Sequence, residues 1–248
     1  MIDALALTSF EITYLAAVCF VAGIVRGFTG FGQSAVAMAS AALVLPPVLL
    51  IPILWWLELA ASLLMLKGGW KDADKGMATT LWIGSVLGLP LGLMLTTTLP
   101  AYQSQCLALI GILVLAVLQL AKINLTLLQG RYGLVLTGIA AGIMSGIAHI
   151  GGMVIALYTL NSNKNARQMR ASLTLYLFLG AASGFIFQSA FSMMDSTAIL
   201  RGLVFAIPST LGVLIGSKLF NPKFEPYYRP ICLFLVIGLA LFGLFKLA

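Results

Sequence analysis

The chain has 248 residues, of which 61% are hydrophobic and 8% are Asp, Glu, Lys or Arg, and its formal net charge is +7. Soluble domains contain about 25% charged residues, so a mean hydropathy of +1.07 excludes soluble enzymes, DNA-binding domains and disulfide-stabilised domains. Runs of about twenty apolar residues, enough to cross a bilayer as a helix, recur along the chain. We therefore predict an all-α polytopic membrane protein, with the bilayer and not nucleic acid as its large partner.

Ten apolar segments follow one another along the chain, and the first of them is predicted to be a permanent span because no basic residue precedes it. Two segments, 34–45 and 153–161, are too short to span about 30 Å at 1.5 Å per residue. The predicted ranges are 12–28, 34–45, 48–66, 76–98, 103–121, 132–148, 153–161, 171–190, 199–217 and 230–247.

Each short segment follows a glycine-rich break in an apolar stretch. The first break is Gly27–Gly32 and the second is Gly146–Gly152. A broken helix at membrane depth is tolerated only where its backbone is enclosed by protein or lines a wet cavity. We therefore expect each short segment to return towards the side from which the chain entered, and both breaks to line a cavity.

The basic residues predict the orientation of the segments. Eleven of the fourteen Lys and Arg residues lie in four loops, near 67–75, 122–131, 164–170 and 218–229, and the loops near 1–11, 99–105 and 191–198 contain none. Basic loops face the cytoplasm, so both termini are predicted to be external. Residues 163–170 read as a hydrophilic cytoplasmic loop.

This orientation divides the chain into two halves, 1–125 and 126–248. Each half consists of one re-entrant hairpin and three full spans, and because three crossings are odd, the halves are predicted to be inverted repeats. Residues 22–27 match residues 141–146 at an offset of 119 positions, and Gly32 matches Gly151 in the same register.

A second, weaker match supports the repeat. Gly88–Gly92 resembles Gly212–Gly216, and both have the small-xxx-small spacing that allows helices to approach closely. Glycine breaks at corresponding positions of two inverted halves indicate a transporter with a binding site at the bilayer midplane.

The breaks carry residues suited to an anion. Helices that begin near Ser34 and Met153 would point their N-termini, with free N–H donors and about half a positive charge each, at the midplane. Arg26 lies just before the first break, and an intramembrane Arg marks function by default. We favour anion contact for Arg26 over a pair with an internal acid. Glu58 is the candidate acid, and its alternatives are a proton carrier or a neutral, hydrogen-bonded carboxyl.

The other polar residues of the breaks have local alternatives. Thr29 and Ser34 either cap helices or contact the ligand, and Gln33 either contacts the ligand or bridges helices. His149, the single histidine, is either a hydrogen-bonded structural residue or a functional one. Ser145 and His149 lack the orienting acid of a hydrolase, so we predict no enzyme.

We predict no metal, because no second His, Cys or carboxylate lies at ligand spacing, and no cofactor. Arg167 and Arg170 are candidates for a cytoplasmic mouth that attracts anions. The candidate substrate-binding residues are Arg26, Gly27, Thr29, Gly30, Gly32, Gln33, Ser34, Ser145, Gly146, His149, Gly151 and Gly152.

At these residues the sequence resembles the sulfite exporter TauE/SafE family of membrane permeases. The resemblance rests on residues 23–33 followed by a proline near position 46, on residues 142–152, on residues 166–173, and on residues 212–218 before Pro222. The family often has a glycine triplet at the breaks, where this chain has Phe31 and Gln33.

The resemblance implies a transporter of small sulfur-containing anions such as sulfite or organosulfonates, in a bacterial cytoplasmic (inner) membrane. The alternatives are an anion channel, a membrane scaffold, or an uptake permease for a carboxylate or other organic anion that is coupled to protons or sodium. A homodimer is one further partner arrangement that the sequence leaves open.

Overall fold

The computed structural model describes residues 5–123, 130–159, 166–220 and 225–247. These residues fold into α-helices without a β-strand, so the predicted all-α class is confirmed. The helices are α1 (Ser9–Thr29), α2 (Gln33–Ala41), α3 (Pro47–Gly69), α4 (Lys75–Thr98), α5 (Ala101–Leu120), α6 (Arg131–Ala148), α7 (Gly151–Thr159), α8 (Ala166–Ala190), α9 (Ser196–Leu219) and α10 (Glu225–Leu247).

Seven of the described helices are long and apolar enough to cross a membrane, namely α1, α3, α4, α5, α8, α9 and α10. The helix α6 is apolar but shorter, and α2 and α7 have nine residues each. Their apolar surfaces are consistent with a bilayer: on α4, Ile83, Leu87 and Leu91 form a stripe in which each residue is at least 55% exposed. Such a stripe is unfavourable in water and suits lipid.

Local sequence explains where several helices begin. Thr8 and Glu11 form a capping box at the start of α1, in which each side chain bonds the other residue's backbone N–H. Asp74 and Asp195 cap α4 and α9 through their carboxylates. Pro47 occupies the first turn of α3, where its missing N–H costs nothing.

The predicted boundaries need three corrections. The helix α8 begins at Ala166, so Arg167 and Arg170 lie in its first turns and not in a loop; an apolar window misses a polar first turn. The helix α2 ends at Ala41, short of the predicted 45. The helix α10 begins at Glu225 and contains Pro230. Lys164, Lys223, Pro222, residues 163–165 and the boundary between the halves at 125/126 lie outside the described residues.

Glycines set the closest helix contacts. The helix α1 packs against α9 through Gly23 and Gly27, which face backbone atoms of Ser209, Val213 and Gly216. The helix α6 packs against α4 in the same way: Gly84, Gly88 and Gly92 of α4 face Gly138, Gly142 and Gly146 of α6 or the residues beside them. The close contact expected from the small-xxx-small spacing is present at both places.

Helices from one half of the chain pack mainly against helices from the other half. Each helix that precedes a break, α1 or α6, packs on the fourth helix of the other half, α9 or α4. The helices α3 and α8 pack against each other in the middle, and α5 packs against α10. The pairing is symmetric between residues 1–125 and 126–248. That these are two repeats, and that they are inverted in a bilayer, stays a prediction.

We predict that Gly88→Ala destabilises the protein. A Cβ at Gly88 would overlap the carbonyl oxygen of Ile139 on α6, and overpacking of this kind costs about 1–3 kcal/mol. The measurement is the thermal unfolding midpoint in detergent. Gly238→Ala is the matched control, because a Cβ at that helical position in α10 meets nothing within 4 Å. Equal midpoints for the two variants would contradict the close α4–α6 contact.

Candidate functional site

The first break is a left-handed turn between α1 and α2. Gly30 has φ +79° and its N–H donates to the carbonyl of Arg26 at 2.9 Å, which ends α1. Gly32 has φ +85° and starts α2. Only glycine adopts these angles without strain. The Thr29 hydroxyl donates to the carbonyl of Val25 and accepts from the N–H of Phe31, so Thr29 has the local capping role that we considered as its alternative.

The second break repeats this turn with a histidine in place of a glycine. His149 lies 119 positions after Gly30 and has φ +58°, and its N–H donates to the carbonyl of Ser145 at 2.9 Å. The helix α7 then begins at Gly151. A residue with a Cβ costs about 1–2 kcal/mol in this conformation. Strain of this size is typical of functional sites, and His149 lines two cavities.

The two breaks meet at one small cavity, of about 10 Å³. Both breaks contribute to its wall, together with one residue each from α3 and α8. The lining residues are Phe31, Gly32, Ser34, Ala35, Glu58, His149, Ile150, Gly152, Met153 and Leu177. The expectation that both breaks line a cavity agrees with this geometry.

A second cavity of about 40 Å³ adjoins the first and shares Glu58, His149 and Leu177 with it. Its wall also includes Ser85, Ser145, Tyr176 and Gln188, which are polar. A water molecule needs about 10–15 Å³ of such space, so this cavity has room for about three waters and the first for one at most.

The N-terminal turns of α2 and α7 line the first cavity. Gly32, which caps α2, supplies no side-chain hydrogen bond, so the first N–H groups of α2 rely on other partners. Ser34 and Ala35 of α2, and Gly152 and Met153 of α7, line the same space. Two partial positive charges of about half a unit each therefore converge there, which favours an anion.

Arg26 is fully buried and paired with Glu58. Its Nη2 lies 2.9 Å from Oε1 of Glu58 and donates to the hydroxyl of Ser62 at 3.2 Å. The Ser34 hydroxyl donates to the other carboxylate oxygen of Glu58 at 3.2 Å. The structure thus shows Arg26 paired with an internal acid, the alternative to the direct anion contact that the sequence favours. Among the described residues, no hydrogen-bond partner faces Nε or Nη1 of Arg26.

The remaining predicted residues either lie at close contacts between helices or form a hydrogen bond between two helices. Gly27 lies against Gly216 and Ser217 of α9, and Gly146 lies against Gly92 and Leu93 of α4, so both serve helix contact. Gly151 lies tightly against Ser145 and Ala141 of α6. Gln33 donates through Nε2 to the hydroxyl of Ser209 at 2.7 Å, so it bridges α2 and α9.

Arg167 and Arg170 line a separate and much larger space. This vestibule of about 440 Å³ lies where α3, α8 and α9 approach the basic loops, and its lining residues are Leu64, Met65, Asp72, Arg167, Arg170, Ala171, Thr174, Ser217 and Phe220. Both arginines that we assign to a cytoplasmic mouth line this space, and its cytoplasmic location stays a prediction. Arg170 also contacts the first break, because its Nη2 donates to the carbonyl of Gly27 at 2.6 Å.

Several residues of the site were not identified from the sequence. The Ser62 hydroxyl accepts a hydrogen bond from Arg26. Tyr176 and Gln188 line the cavity of about 40 Å³ together with Glu58, and beside that cavity the Trp55 indole donates to the carbonyl of Ala181. Trp55 and Ser62 are polar groups within the apolar helix α3, and Tyr176 and Gln188 are polar groups within α8. That pattern was a usable signal, because polar side chains within a membrane helix turn towards the protein interior.

Comparison with models of protein families gives a match to the family described as Sulfite exporter TauE/SafE, over residues 15–243. The match includes both breaks and every helix from α2 to α9. The chain belongs to the TauE/SafE family. The resemblance predicted from the glycine motifs is therefore confirmed. No curated protein and no solved structure matches the chain.

Membership in the TauE/SafE family implies a membrane transporter of sulfite-type anions. The TauE/SafE family is a transporter family, which is consistent with the prediction of no enzyme. The seven helices that are long and apolar enough to span a bilayer agree with an integral membrane protein.

We predict that Glu58→Gln destabilises the protein by about 3–5 kcal/mol, the cost of leaving one member of a buried ion pair alone. Thermal unfolding midpoints of Glu58→Gln, Arg26→Gln and the double variant give the coupling between the two sites. The double variant should lose less stability than the sum of the losses in the two single variants, because it contains no unpaired charge. Strictly additive losses would show that the pair is not coupled.

Proposed function

We propose that this TauE/SafE protein carries small sulfur-containing anions, sulfite or organosulfonates, across the bacterial inner membrane by alternating access. The anion is held between the N-termini of α2 and α7, where the two breaks meet. The observation that carries this proposal is the shared cavity, to which Ser34 and Gly152 contribute from opposite breaks. Two inverted halves, 1–125 and 126–248, with external termini are part of the proposal.

Charge supports an anion at this point. Glu58 is paired with Arg26, so the acid and the base contribute no net charge, and the helix N-termini are left as the local positive potential. The unpartnered Nε and Nη1 atoms of Arg26 offer further donors once the site expands. A guanidinium fork suits an oxyanion.

The unequal sizes of the cavities support alternating access over a continuous pore. The vestibule has about 440 Å³, which has room for an oxyanion with water, whereas the cavity at the breaks has about 10 Å³ and admits one water at most. A conformation that is wide on one side and closed at the centre suits a carrier. Macroscopic currents larger than carrier turnover would favour the channel instead.

Membrane potential favours export if transport is uncoupled. An interior-negative potential drives a monovalent anion outward by about 2.3 kcal/mol per 100 mV. Uptake of an organic anion needs a coupling ion, and one observation favours protons for this second function: Glu58 and His149 line both cavities together.

We predict that Gly152→Ala impairs transport without loss of stability. A Cβ at Gly152 would point towards Leu177 and Phe31 at ordinary contact distances of 3.5–3.9 Å, so it reduces the cavity without displacing backbone. The measurement is efflux of sulfite and of methanesulfonate from proteoliposomes. Gly238→Ala is again the control and should transport as the parent does. Unchanged transport by Gly152→Ala would place the substrate elsewhere.

His149→Gly separates the proton-coupled alternative from uncoupled export. Glycine accepts φ +58° freely, so this variant keeps the turn and removes the imidazole. If transport is coupled to protons, an imposed pH gradient accelerates anion transport by the parent, and this acceleration is lost in His149→Gly. The coupling hypothesis is wrong if two results are found together: the parent transports electrogenically at a rate that the pH gradient does not change, and Glu58→Gln is still active in transport.

A further inference from the structure

Arg170 connects the vestibule with the first break. It lies in the first turns of α8 and lines the vestibule with Arg167 and Asp72. Its Nη2 donates to the carbonyl of Gly27 at 2.6 Å and to the hydroxyl of Ser217 at 3.2 Å. One side chain therefore ties α8 to the end of α1 and to the end of α9.

The contact with α1 is made at the negative end of that helix. The carbonyl of Gly27 is among the last four of α1, which have no partner within the helix, and a cation there is favoured by the helix dipole. The aliphatic stem of Arg170 covers the turn itself, because a Cβ at Gly30 would lie 2.6 Å from its Cγ. The guanidinium carbon lies 4.1 Å from the centre of the Phe220 ring.

The vestibule around Arg170 suits an anionic ligand. Among the described residues that line it, Arg167 and Arg170 outnumber the acidic Asp72, and Thr174 and Ser217 add hydroxyl donors. An oxyanion is a stronger acceptor for a guanidinium than a backbone carbonyl, because both partners are charged and two parallel hydrogen bonds form. An oxyanion in the vestibule therefore competes with the carbonyl of Gly27 for Arg170.

We propose that the vestibule is an outer binding site for sulfur oxyanions and that Arg170 is its gate. When an oxyanion binds Arg167 and Arg170, the guanidinium leaves the carbonyl of Gly27, the end of α1 is released, and the first break opens towards the vestibule. The identity of the ligand rests on the proposed function. The gate does not, because its closed state is held by contacts within the protein.

The test uses Ala35→Cys as a reporter of access to the central cavity. Ala35 lines that cavity and is 1% exposed. The three free cysteines, Cys19, Cys106 and Cys232, are first replaced by Ala in the full chain. Inside-out vesicles are then treated with a membrane-impermeant methanethiosulfonate reagent, in chloride or in methanesulfonate at equal ionic strength, and the labelling rate is measured.

The parent should label slowly in chloride and several-fold faster in methanesulfonate. Arg170→Gln should label about tenfold faster than the parent in chloride, because it lacks a hydrogen bond made by a charged donor. Methanesulfonate should give this variant no further increase in the labelling rate. Arg167→Gln is the matched control: it removes the same charge from the same vestibule and should label as slowly as the parent in chloride. Arg170→Lys, which keeps the charge but not the fork, should be intermediate and serves if Arg170→Gln does not fold.

The outcomes distinguish the gate from the substrate. If Arg170→Gln and Arg170→Lys label no faster than Arg167→Gln in chloride, the gate is overturned whatever the substrate is. If the parent transports neither sulfite nor methanesulfonate and neither accelerates its labelling, the proposed function and the oxyanion site fail. The comparison of the Arg170 and Arg167 variants in chloride still decides the gate in that case.

Discussion

Enclosure of the two broken helices is the constraint on which the rest of the structure depends. Backbone N–H and C=O groups at a break cannot be satisfied by hydrocarbon, so a break at membrane depth must be surrounded by protein. The breaks after α1 and α6 meet this requirement by lying against each other, with Glu58 of α3 and Leu177 of α8 completing the wall. The outer helices then expose their apolar side chains, Ile83 and Leu87 among them, as a lipid-facing surface.

Close helix approach makes this enclosure geometrically feasible. Glycines let α1 contact α9 and α6 contact α4 backbone to backbone, and in lipid such contacts stabilise helices through dispersion and packing more than through the hydrophobic effect. Gly27 and Gly146 therefore serve the cavity between the breaks indirectly. They hold the ends of α1 and α6 in position so that Gly32 and His149, a few residues later, reach the cavity.

In the part of the chain that the structure describes, the three arginines Arg26, Arg170 and Arg201 each have a partner. Arg26 and Glu58 neutralise each other beside the breaks, Arg170 lies on the carbonyl end of α1, and Arg201 donates to the carbonyls of Leu5 and Ala6. Each arginine thereby fixes a helix end or a chain segment. A transporter needs such contacts to be exchangeable, because an arriving anion offers a guanidinium a competing partner.

The sequence by itself determined the membrane class, the order of the helices and the location of both breaks. The length of an apolar run and the position of a glycine cluster are local properties of the chain, so they decide which segments can span a bilayer without any tertiary contact. The positions of the helix N-termini beside the breaks were likewise predictable from the sequence, and the binding of an anion there is the proposal that rests on them. The sequence did not determine that Arg26 pairs with Glu58, that Gln33 bridges to Ser209 or that Arg170 reaches Gly27. These contacts join residues 32, 176 and 143 positions apart, so only the packing of α1, α2, α3, α8 and α9 decided which polar groups meet.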